Sequence, residues 1–203
     1  MLAKILSTQN SPHAAGSVYL SAANVAQLRF MKQVLNDKAI ALIIKRLAYQ
    51  IVEDHPHCDD IVFIGIQPRG VQLSERLMVE LNALYGKQAA YGILDITFYR
   101  DDFRKEIMVP NQTHLDMSLE NKEVILIDDV LYTGRTTRAA LDALLDFGRP
   151  SKVTLCTLID RKFNREIPIQ PDYTGKTIDT IFSQKVVVHW KENDGVDEVR
   201  LLG

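Results

Sequence analysis

Apolar positions along the chain follow two spacings, one typical of buried strands and one typical of helices packed on a sheet. Residues 61–66, 123–128 and 153–159 form short, nearly continuous apolar runs, as expected of strands buried on both faces. Between Asn36, a favourable helix cap, and Asp54, apolar residues recur at helical spacing. The same patterns predict further helices at about 71–85 and 136–147 and further strands at 90–99 and 185–190.

Strands that alternate with helices predict an α/β fold with a doubly wound, mainly parallel sheet. A chain of 203 residues is long enough for one such domain with a full core. We predict an N-terminal extension over residues 1–35 and a single domain over residues 36–203. Within the domain, the polar stretch 99–121 has no clear period and is predicted to be a flexible lid, and residues 160–190 are predicted to form a small C-terminal hood.

The composition is ordinary for a globular protein, with 46% apolar and 25% charged residues and a formal net charge of −2. Because the chain has no global basic field, a nucleic-acid site must rest on particular residues. No apolar run approaches the roughly 18 residues that a membrane span needs. The first 35 residues lack the compact apolar core of a secretory signal, so we expect a cytoplasmic protein with no membrane partner.

The strongest candidate for chemistry is the segment 128–136, which follows a predicted buried strand and precedes a predicted helix. It begins with Asp128 and Asp129, whose carboxylates repel one another unless a cation or hydroxyl donors compensate. Such carboxylates can accept hydrogen bonds from the hydroxyls of a ribose. Gly134 lets the backbone approach a ligand, and the N–H groups at the start of the following helix favour an anion. One loop can therefore bind ribose hydroxyls at one end and a phosphate at the other.

A second candidate is the loop Gln67-Pro-Arg-Gly70, which also connects a strand to a helix. Gly70 permits unusual backbone angles, and the Arg69 guanidinium can bind a diphosphate through paired hydrogen bonds. Taken alone this loop is a weak indication, because any β–α turn can carry Arg-Gly. Ligands bind at the carboxyl ends of strands in such sheets, so the two loops together predict one site.

The segment 128–136 resembles the signature with which type I phosphoribosyltransferases bind 5-phosphoribosyl-1-diphosphate (PRPP). Its Asp-Asp-Val-Leu-Tyr-Thr-Gly-Arg-Thr form is similar to the subfamily of pyrimidine operon attenuators that double as uracil phosphoribosyltransferases. The resemblance continues in Asp95-Ile-Thr-Phe-Tyr-Arg-Asp-Asp102, in Asp142-Ala-Leu-Leu-Asp-Phe-Gly-Arg-Pro150 and in Pro171-Asp-Tyr-Thr-Gly175. It covers about residues 37–202.

This resemblance implies roles for the matching residues in PRPP binding. Asp128 and Asp129 would bind the ribose hydroxyls of Mg-PRPP. Arg69 would meet the diphosphate, and Arg100 in the lid would close over the substrate, so these four are the candidate catalytic residues. Magnesium would arrive with PRPP near the two aspartates and would have no site made of protein groups alone. The implied PRPP- and nucleotide-binding residues are Pro68, Arg69, Gly70, Asp128, Asp129, Val130, Leu131, Tyr132, Thr133, Gly134, Arg135 and Thr136, of which 132–136 take the 5-phosphate.

The implied reaction is displacement of diphosphate from ribose C1 by uracil N1, so PRPP, uracil and UMP are the expected small-molecule partners. Arg161 and Val186 in the predicted hood would lie near the base. Purine-using relatives place an aspartate where this chain has Tyr132, and a tyrosine, whose ordinary pKa is about 10, is a poor base toward a purine. Uracil is therefore favoured, and a purine phosphoribosyltransferase is the alternative.

The same resemblance implies a regulator of pyrimidine-operon mRNA leaders that assembles as a homodimer or a larger homo-oligomer. Ala41 and Leu42 stand where the family tends to carry an RNA-facing arginine pair, while Lys45 and Arg46 follow one turn later. Phosphate contacts supply most nucleic-acid affinity, so the change should weaken RNA binding. An enzyme that also binds the leader and an RNA-binding attenuator with weak or lost catalysis both stay open.

Two further positions depart from the family pattern. Pro68 stands where a threonine is usual, which removes a hydroxyl and fixes φ. The loop 162–166 is one residue longer than usual. We expect the first change to affect diphosphate binding and the second to affect the hood near the base.

Overall fold

The computed structural model describes residues 31–101, 112–181 and 183–203. In chain order its strands are β1 (Met31–Leu35), β2 (Ile61–Ile66), β3 (Ala90–Leu94), β4 (Glu123–Leu131), β5 (Lys152–Lys162), β6 (Tyr173–Asp179), β7 (Lys185–His189) and β8 (Glu198–Leu202). Its helices are α1 (Asp37–Asp54), α2 (Gly70–Tyr85), α3 (Arg135–Leu144) and the single turn α4 (Lys191–Asp194). Five strands form a sheet in the order β3-β2-β4-β5-β6, and every neighbouring pair in it is parallel. The predicted doubly wound, mainly parallel α/β fold is confirmed.

Apolar clusters lie on both faces of this sheet. On one face, Leu47 of α1 and Leu77 of α2 share a buried cluster with Phe63 of β2. On the other face, α3 and the chain segment before β4 cluster around Leu126. All six residues of β2 are buried as a result, which explains why its sequence is a continuous apolar run and not an alternating one.

The ends of α1 and α2 are set by local signals that the sequence carries. The Asn36 side chain accepts a hydrogen bond from the Ala39 N–H at 2.9 Å, which caps the start of α1. Gly86, with φ 67°, adopts the left-handed conformation that ends α2. Both predicted helices are confirmed.

A second, antiparallel sheet has the order β1-β8-β7 and is called here the small sheet. The predicted extension over residues 1–35 is therefore wrong for 31–35, because β1 pairs with a strand from the other end of the chain; residues 1–30 lie outside the described residues. The predicted hood over 160–190 is too broad. Residues 160–162 and 173–179 belong to β5 and β6 of the parallel sheet, and β7 is the strand of this range that joins the small sheet.

The predicted lid over 99–121 is also too long. His114 forms an isolated antiparallel bridge to Ile93, with both N–H···O distances 2.9 Å, and Leu119 is fully buried. Residues 112–121 therefore pack on the parallel sheet, and the part of the predicted lid at 102–111 lies outside the described residues.

Several strand and helix ends differ from the prediction. β3 stops at Leu94, and a 3-10 turn, Thr97–Tyr99, follows where a strand was expected to continue. β4 runs on to Leu131 because it pairs with β5 beyond its apolar run, and β5 runs on to Lys162 because it pairs with β6. The predicted helix at 136–147 divides into α3 and a 3-10 turn, Leu145–Phe147. In the part of the chain that the structure describes, no helix is both long and apolar enough to cross a membrane.

Candidate active site

The candidate site lies where the order of strands reverses. From β2 the chain moves to β3 on one side and then to β4 on the other, so the carboxyl ends of β2 and β4 flank a switch point. Ligands bind at such points in open α/β sheets. Residues 67–69 follow β2 and residues 132–134 follow β4. The two loops singled out in the sequence are therefore neighbours in space.

The acid pair lies near the end of β4, with Asp128 7% and Asp129 9% exposed. The Asp129 N–H donates to Asp128 Oδ1 at 2.9 Å. Burial raises the pKa of Asp129 to about 6, against the opposing charge of Arg69. Burial and then the Asp129 carboxylate raise the pKa of Asp128 well above its usual value, while the charge of Arg100 opposes the rise. The charges of Arg69 and Arg100 do not fully offset the cost of burying the two carboxylates. This suits a ligand that brings hydroxyl donors or a cation.

Gly70 allows α2 to begin directly against the acid pair. A Cβ at this position would lie 2.5 Å from the Ile127 carbonyl oxygen and 3.1 Å from Asp128 Cα. Both are backbone atoms of a central strand, so they cannot move aside at low cost. This glycine is preceded by Pro68, which is joined to Gln67 by a cis peptide bond, and by the exposed Arg69.

The turn from β4 into α3 has the features predicted to suit an anion. Gly134 has φ 91°, in the left-handed region that glycine adopts without strain. The first N–H groups of a helix have no acceptor within the helix, and that of Arg135 points to Thr133 Oγ1 at 3.4 Å. Thr137 Oγ1 is buried without a hydrogen-bond partner among the described residues. These donors match the predicted phosphate site.

Arg165 holds the end of β4 in place, and it was not predicted as a site residue. Its guanidinium donates to the carbonyl oxygens of Leu131, Tyr132 and Arg161 and pairs with the Asp160 carboxylate. These contacts fix the backbone that leads into the Gly134 turn. The one feature of the sequence that could have indicated Arg165 was its place in the loop 162–166, which departs from the family pattern. An arginine that binds backbone carbonyls produces no periodic pattern in a sequence.

Tyr132 is held by the predicted base-side residue Arg161. The Arg161 guanidinium carbon lies 3.7 Å from the centre of the Tyr132 ring, a cation–π stack. Arg161 is buried and donates to Thr180 Oγ1 at 3.0 Å and to the Gln184 carbonyl at 2.8 Å. Val186, also buried, lies on β7, which contacts β4. Arg161 therefore contacts the site from β5 of the parallel sheet, while Val186 belongs to a strand of the small sheet that lies against β4.

Arg69 and Arg100 supply positive charge near the acid pair. Arg69 Nη1 donates to the Val188 carbonyl at 2.5 Å and lies 3.5 Å from Asp194 Oδ2. Arg100 is partly buried, and its charge acts on Asp128 as described above. The structure thus brings the four candidate catalytic residues to one end of the sheet.

The remaining predicted residues lie at the ends of the same elements: Val130 and Leu131 complete β4, and Arg135 and Thr136 open α3. Within residues 31–101, 112–181 and 183–203, no three His, Cys, Asp or Glu side chains are arranged to hold a metal ion. The carboxylates of Asp128 and Asp129 are nevertheless oxygen ligands of the kind that magnesium prefers. They fit an ion that a bound phosphorylated sugar also coordinates.

A family model described as phosphoribosyl transferase domain matches residues 31–193. The chain is 44% identical over 174 residues to the bifunctional protein PyrR of Limosilactobacillus fermentum, which covers 83% of this chain and 96% of the relative. It is 44% identical over 173 residues to the bifunctional protein PyrR of Chloroflexus aurantiacus, which covers 84% of this chain and 94% of the relative.

Solved structures of hypoxanthine phosphoribosyltransferases share the fold. The Staphylococcus aureus structure has a TM-score of 0.62 at 21% identity and covers 88% of this chain and 95% of its own. The Trypanosoma cruzi structure has a TM-score of 0.64 at 17% identity and covers 84% of this chain and 95% of its own. With the site at the switch point of its sheet and these matches over most of its length, the chain belongs to the phosphoribosyltransferase domain family and, within it, to the PyrR family.

Proposed function

We propose that the protein transfers the phosphoribosyl group of PRPP to uracil, producing UMP and diphosphate. The observation that carries the proposal is the buried pair of Asp128 and Asp129 beside the Gly134 turn, at the switch point of the sheet. The carboxylates suit two ribose hydroxyls, and the adjoining turn suits a phosphate. Membership of the PyrR family supports the same conclusion.

Each group acts on a different part of PRPP. Asp128 and Asp129 accept hydrogen bonds from the ribose hydroxyls, and the N–H groups at the start of α3 bind the 5-phosphate, which together orient C1 toward the acceptor. When the bond from C1 to diphosphate breaks, its electron pair stays on the leaving oxygen. The guanidinium groups of Arg69 and Arg100 stabilise that charge while uracil N1 forms the new bond to C1 and its proton is released to solvent. Magnesium bound with PRPP would add positive charge on the same leaving group.

Tyr132 favours uracil over a purine as the acceptor. Its ring is stacked on Arg161, which is itself fixed by bonds to Thr180 and Gln184, so the tyrosine forms a rigid wall of the site. A phenol is a poor general base near neutral pH, because its ordinary pKa is about 10. The hypoxanthine phosphoribosyltransferases share only the fold at 21% and 17% identity, so they do not bear on the choice of base.

The proposal is tested by mixing the purified protein with Mg-PRPP and uracil, hypoxanthine or guanine and measuring nucleotide formation. We expect UMP from uracil and no purine nucleotide. A purine nucleotide would contradict the role assigned to Tyr132. Binding of PRPP without product from any of the bases would instead support a sensor that has lost catalysis.

We infer that RNA-leader regulation is a second, weaker function of this chain. The relatives are named bifunctional, but α1 exposes Ala41 and Leu42, the latter by 68%. Arg46 is engaged with two carbonyl oxygens of β6, at 2.5 and 3.1 Å, which leaves Lys45 as the exposed cation one turn further along. Because each phosphate contact steepens the fall of affinity with salt, we expect a shallow salt dependence for binding to a pyrimidine-leader hairpin. A steep dependence would contradict this inference.

A further inference from the structure

Arg69 is anchored at one edge by residues that come much later in the chain. Its Nη1 donates to the Val188 carbonyl of β7 at 2.5 Å and lies 3.5 Å from Asp194 Oδ2 of α4. The same guanidinium acts on the acid pair, since its charge lowers the pKa of Asp129 against the effect of burial. Arg69 therefore bridges the small-sheet side of the molecule and the acid pair.

Asp194 is itself held in a fixed position. Its Oδ2 accepts a hydrogen bond from the Trp190 N–H at 3.0 Å, and its Oδ1 lies 3.7 Å from His189 Nδ1. The Trp190 hydrogen bond, followed by the charges of Arg69 and His189, lowers the pKa of Asp194. Trp190 is fully buried, so the turn that carries this carboxylate is anchored in the core. A carboxylate held this way can orient a partner and not merely neutralise it.

Hydrogen bonds between uncharged groups also join the loop that carries Arg69 to α4. With its amide oriented to satisfy both of its polar atoms, Gln72 donates to the Pro68 and Arg69 carbonyls at 3.1 and 3.2 Å and accepts from Asn193 Nδ2 at 3.1 Å. The loop that carries Arg69 is thus tied to α4 through its backbone as well as through its side chain. The alignment of Arg69 and Asp194 follows from two independent sets of contacts.

We propose that Asp194 is a positioning residue that holds the Arg69 guanidinium at the diphosphate end of the site; this rests on the proposed function. The contacts of Arg69 in the described part of the chain engage Nη1, so the edge formed by Nε and Nη2 faces no protein acceptor there. A guanidinium offers five donors in a planar fork, so fixing one edge presents the other to a diphosphate. Ordering the side chain in advance reduces the entropy lost when the ligand binds.

The experiment compares Asp194→Asn with the matched variant Glu192→Gln, both made in the full-length protein. Each removes one carboxylate charge from α4, but Glu192 pairs with Arg76, at 2.7 Å, and not with Arg69. Asparagine keeps an oxygen that can accept from the Trp190 N–H, so the turn should stay folded, which a melting curve checks. We expect Asp194→Asn to raise the KM for PRPP and the dissociation constant of magnesium diphosphate about three- to fivefold, in line with loss of a partly exposed ion pair. Glu192→Gln should change these two values by less than about twofold. The KM for uracil should also change by less than about twofold.

A second comparison, with a double variant, separates positioning of Arg69 from general damage to the fold. In an Arg69→Ala background, Asp194→Asn should cause no further loss of diphosphate affinity, because its partner is gone. Equal diphosphate affinities for Asp194→Asn and Glu192→Gln, or an undiminished loss in the Arg69→Ala background, would overturn the positioning role. A wild-type protein that binds magnesium diphosphate more tightly than Asp194→Asn but makes no UMP would uphold that role and contradict the proposed transferase function.

Discussion

Replacing Asp129 with asparagine should make the ligand-free protein more stable while weakening its binding of PRPP. The asparagine side chain would keep the size and the acceptor oxygen of the aspartate but would remove a buried charge next to the Asp128 carboxylate. Its amide would also offer that carboxylate a hydrogen-bond donor. The charge is therefore a cost to folding that is kept for binding.

The size of the effect follows from the pKa of Asp129, which burial raises from 3.8 to about 6. At about 1.36 kcal/mol per pH unit, this corresponds to roughly 3 kcal/mol against the folded state at neutral pH, as an upper estimate. The folded protein holds this proton more tightly than the unfolded chain does. Wild-type stability therefore falls as pH rises from about 4 to about 6 and stays low above that window. The variant lacks this loss, so it should gain about 1–3 kcal/mol above pH 6 and little near pH 4.

Urea denaturation of wild type and Asp129→Asn at pH 4.5, 6 and 7.5 measures the difference in unfolding free energy directly. Asp116→Asn, which removes an exposed carboxylate, is the control and should change little at any pH. Calorimetry with Mg-PRPP at pH 7.5 should show weaker binding by the Asp129 variant. An Asp129→Asn variant that is less stable than wild type at pH 7.5, or whose advantage is the same at pH 4.5 and 7.5, would refute a cost of burying the Asp129 charge.

Three further predictions concern the same site. PRPP should bind wild type more tightly as pH rises from 5 to 7, because binding must release the proton from Asp129. Calorimetry in buffers of different ionisation enthalpy should detect that proton release. A PRPP affinity that does not change with pH would argue against the acid pair as the ribose ligand. Gly70→Ala should lower the unfolding free energy by about 1–3 kcal/mol in urea, because its Cβ would lie 2.5 Å from the Ile127 carbonyl oxygen, and a neutral or stabilising result would contradict the close approach. Arg165→Met should raise the KM for PRPP by about tenfold, because the backbone at the end of β4 loses its hydrogen bonds to the guanidinium. Arg165→Lys should restore little of the affinity, since an ammonium cannot reach the same set of carbonyl oxygens. Full activity of either variant would contradict the role of Arg165 in holding this backbone.

Local chemistry made much of this fold predictable. The β2 strand is a continuous apolar run because both of its faces are covered, and α1 starts at Asn36 because the side chain caps the helix. The turn that we propose to bind the 5-phosphate stands out in the sequence for the same reason. Gly134, the adjacent hydroxyls and the start of α3 are contiguous in the chain, so their chemistry appears as a pattern of neighbours.

Pairing between distant segments accounts for most of the errors. β1 is a strand because it pairs with β8 at the far end of the chain. The sequence of residues 31–35 has no pattern that indicates a strand. β6 was not among the predicted strands, but it pairs in parallel with β5. Arg165 and Asp194 were missed because they act on backbone carbonyls and on another side chain, contacts that exist only after the chain has folded.

The same distinction between local and distant contacts separates the residues proposed to bind different parts of the substrates. The groups that bind the invariant part of PRPP, its ribose and 5-phosphate, come from one stretch of β4 and α3, and a single motif describes them. The groups that hold the base-side and diphosphate-side residues in place come from later segments: Arg161 of β5 fixes Tyr132, and Asp194 of α4 fixes Arg69. Substitutions in these later segments can change which base is accepted, or how tightly diphosphate is held, while leaving the motif intact. The motif therefore indicates the proposed sugar donor and, through Tyr132, the proposed acceptor, whereas the contacts that hold Tyr132 and Arg69 in position form only in the folded chain.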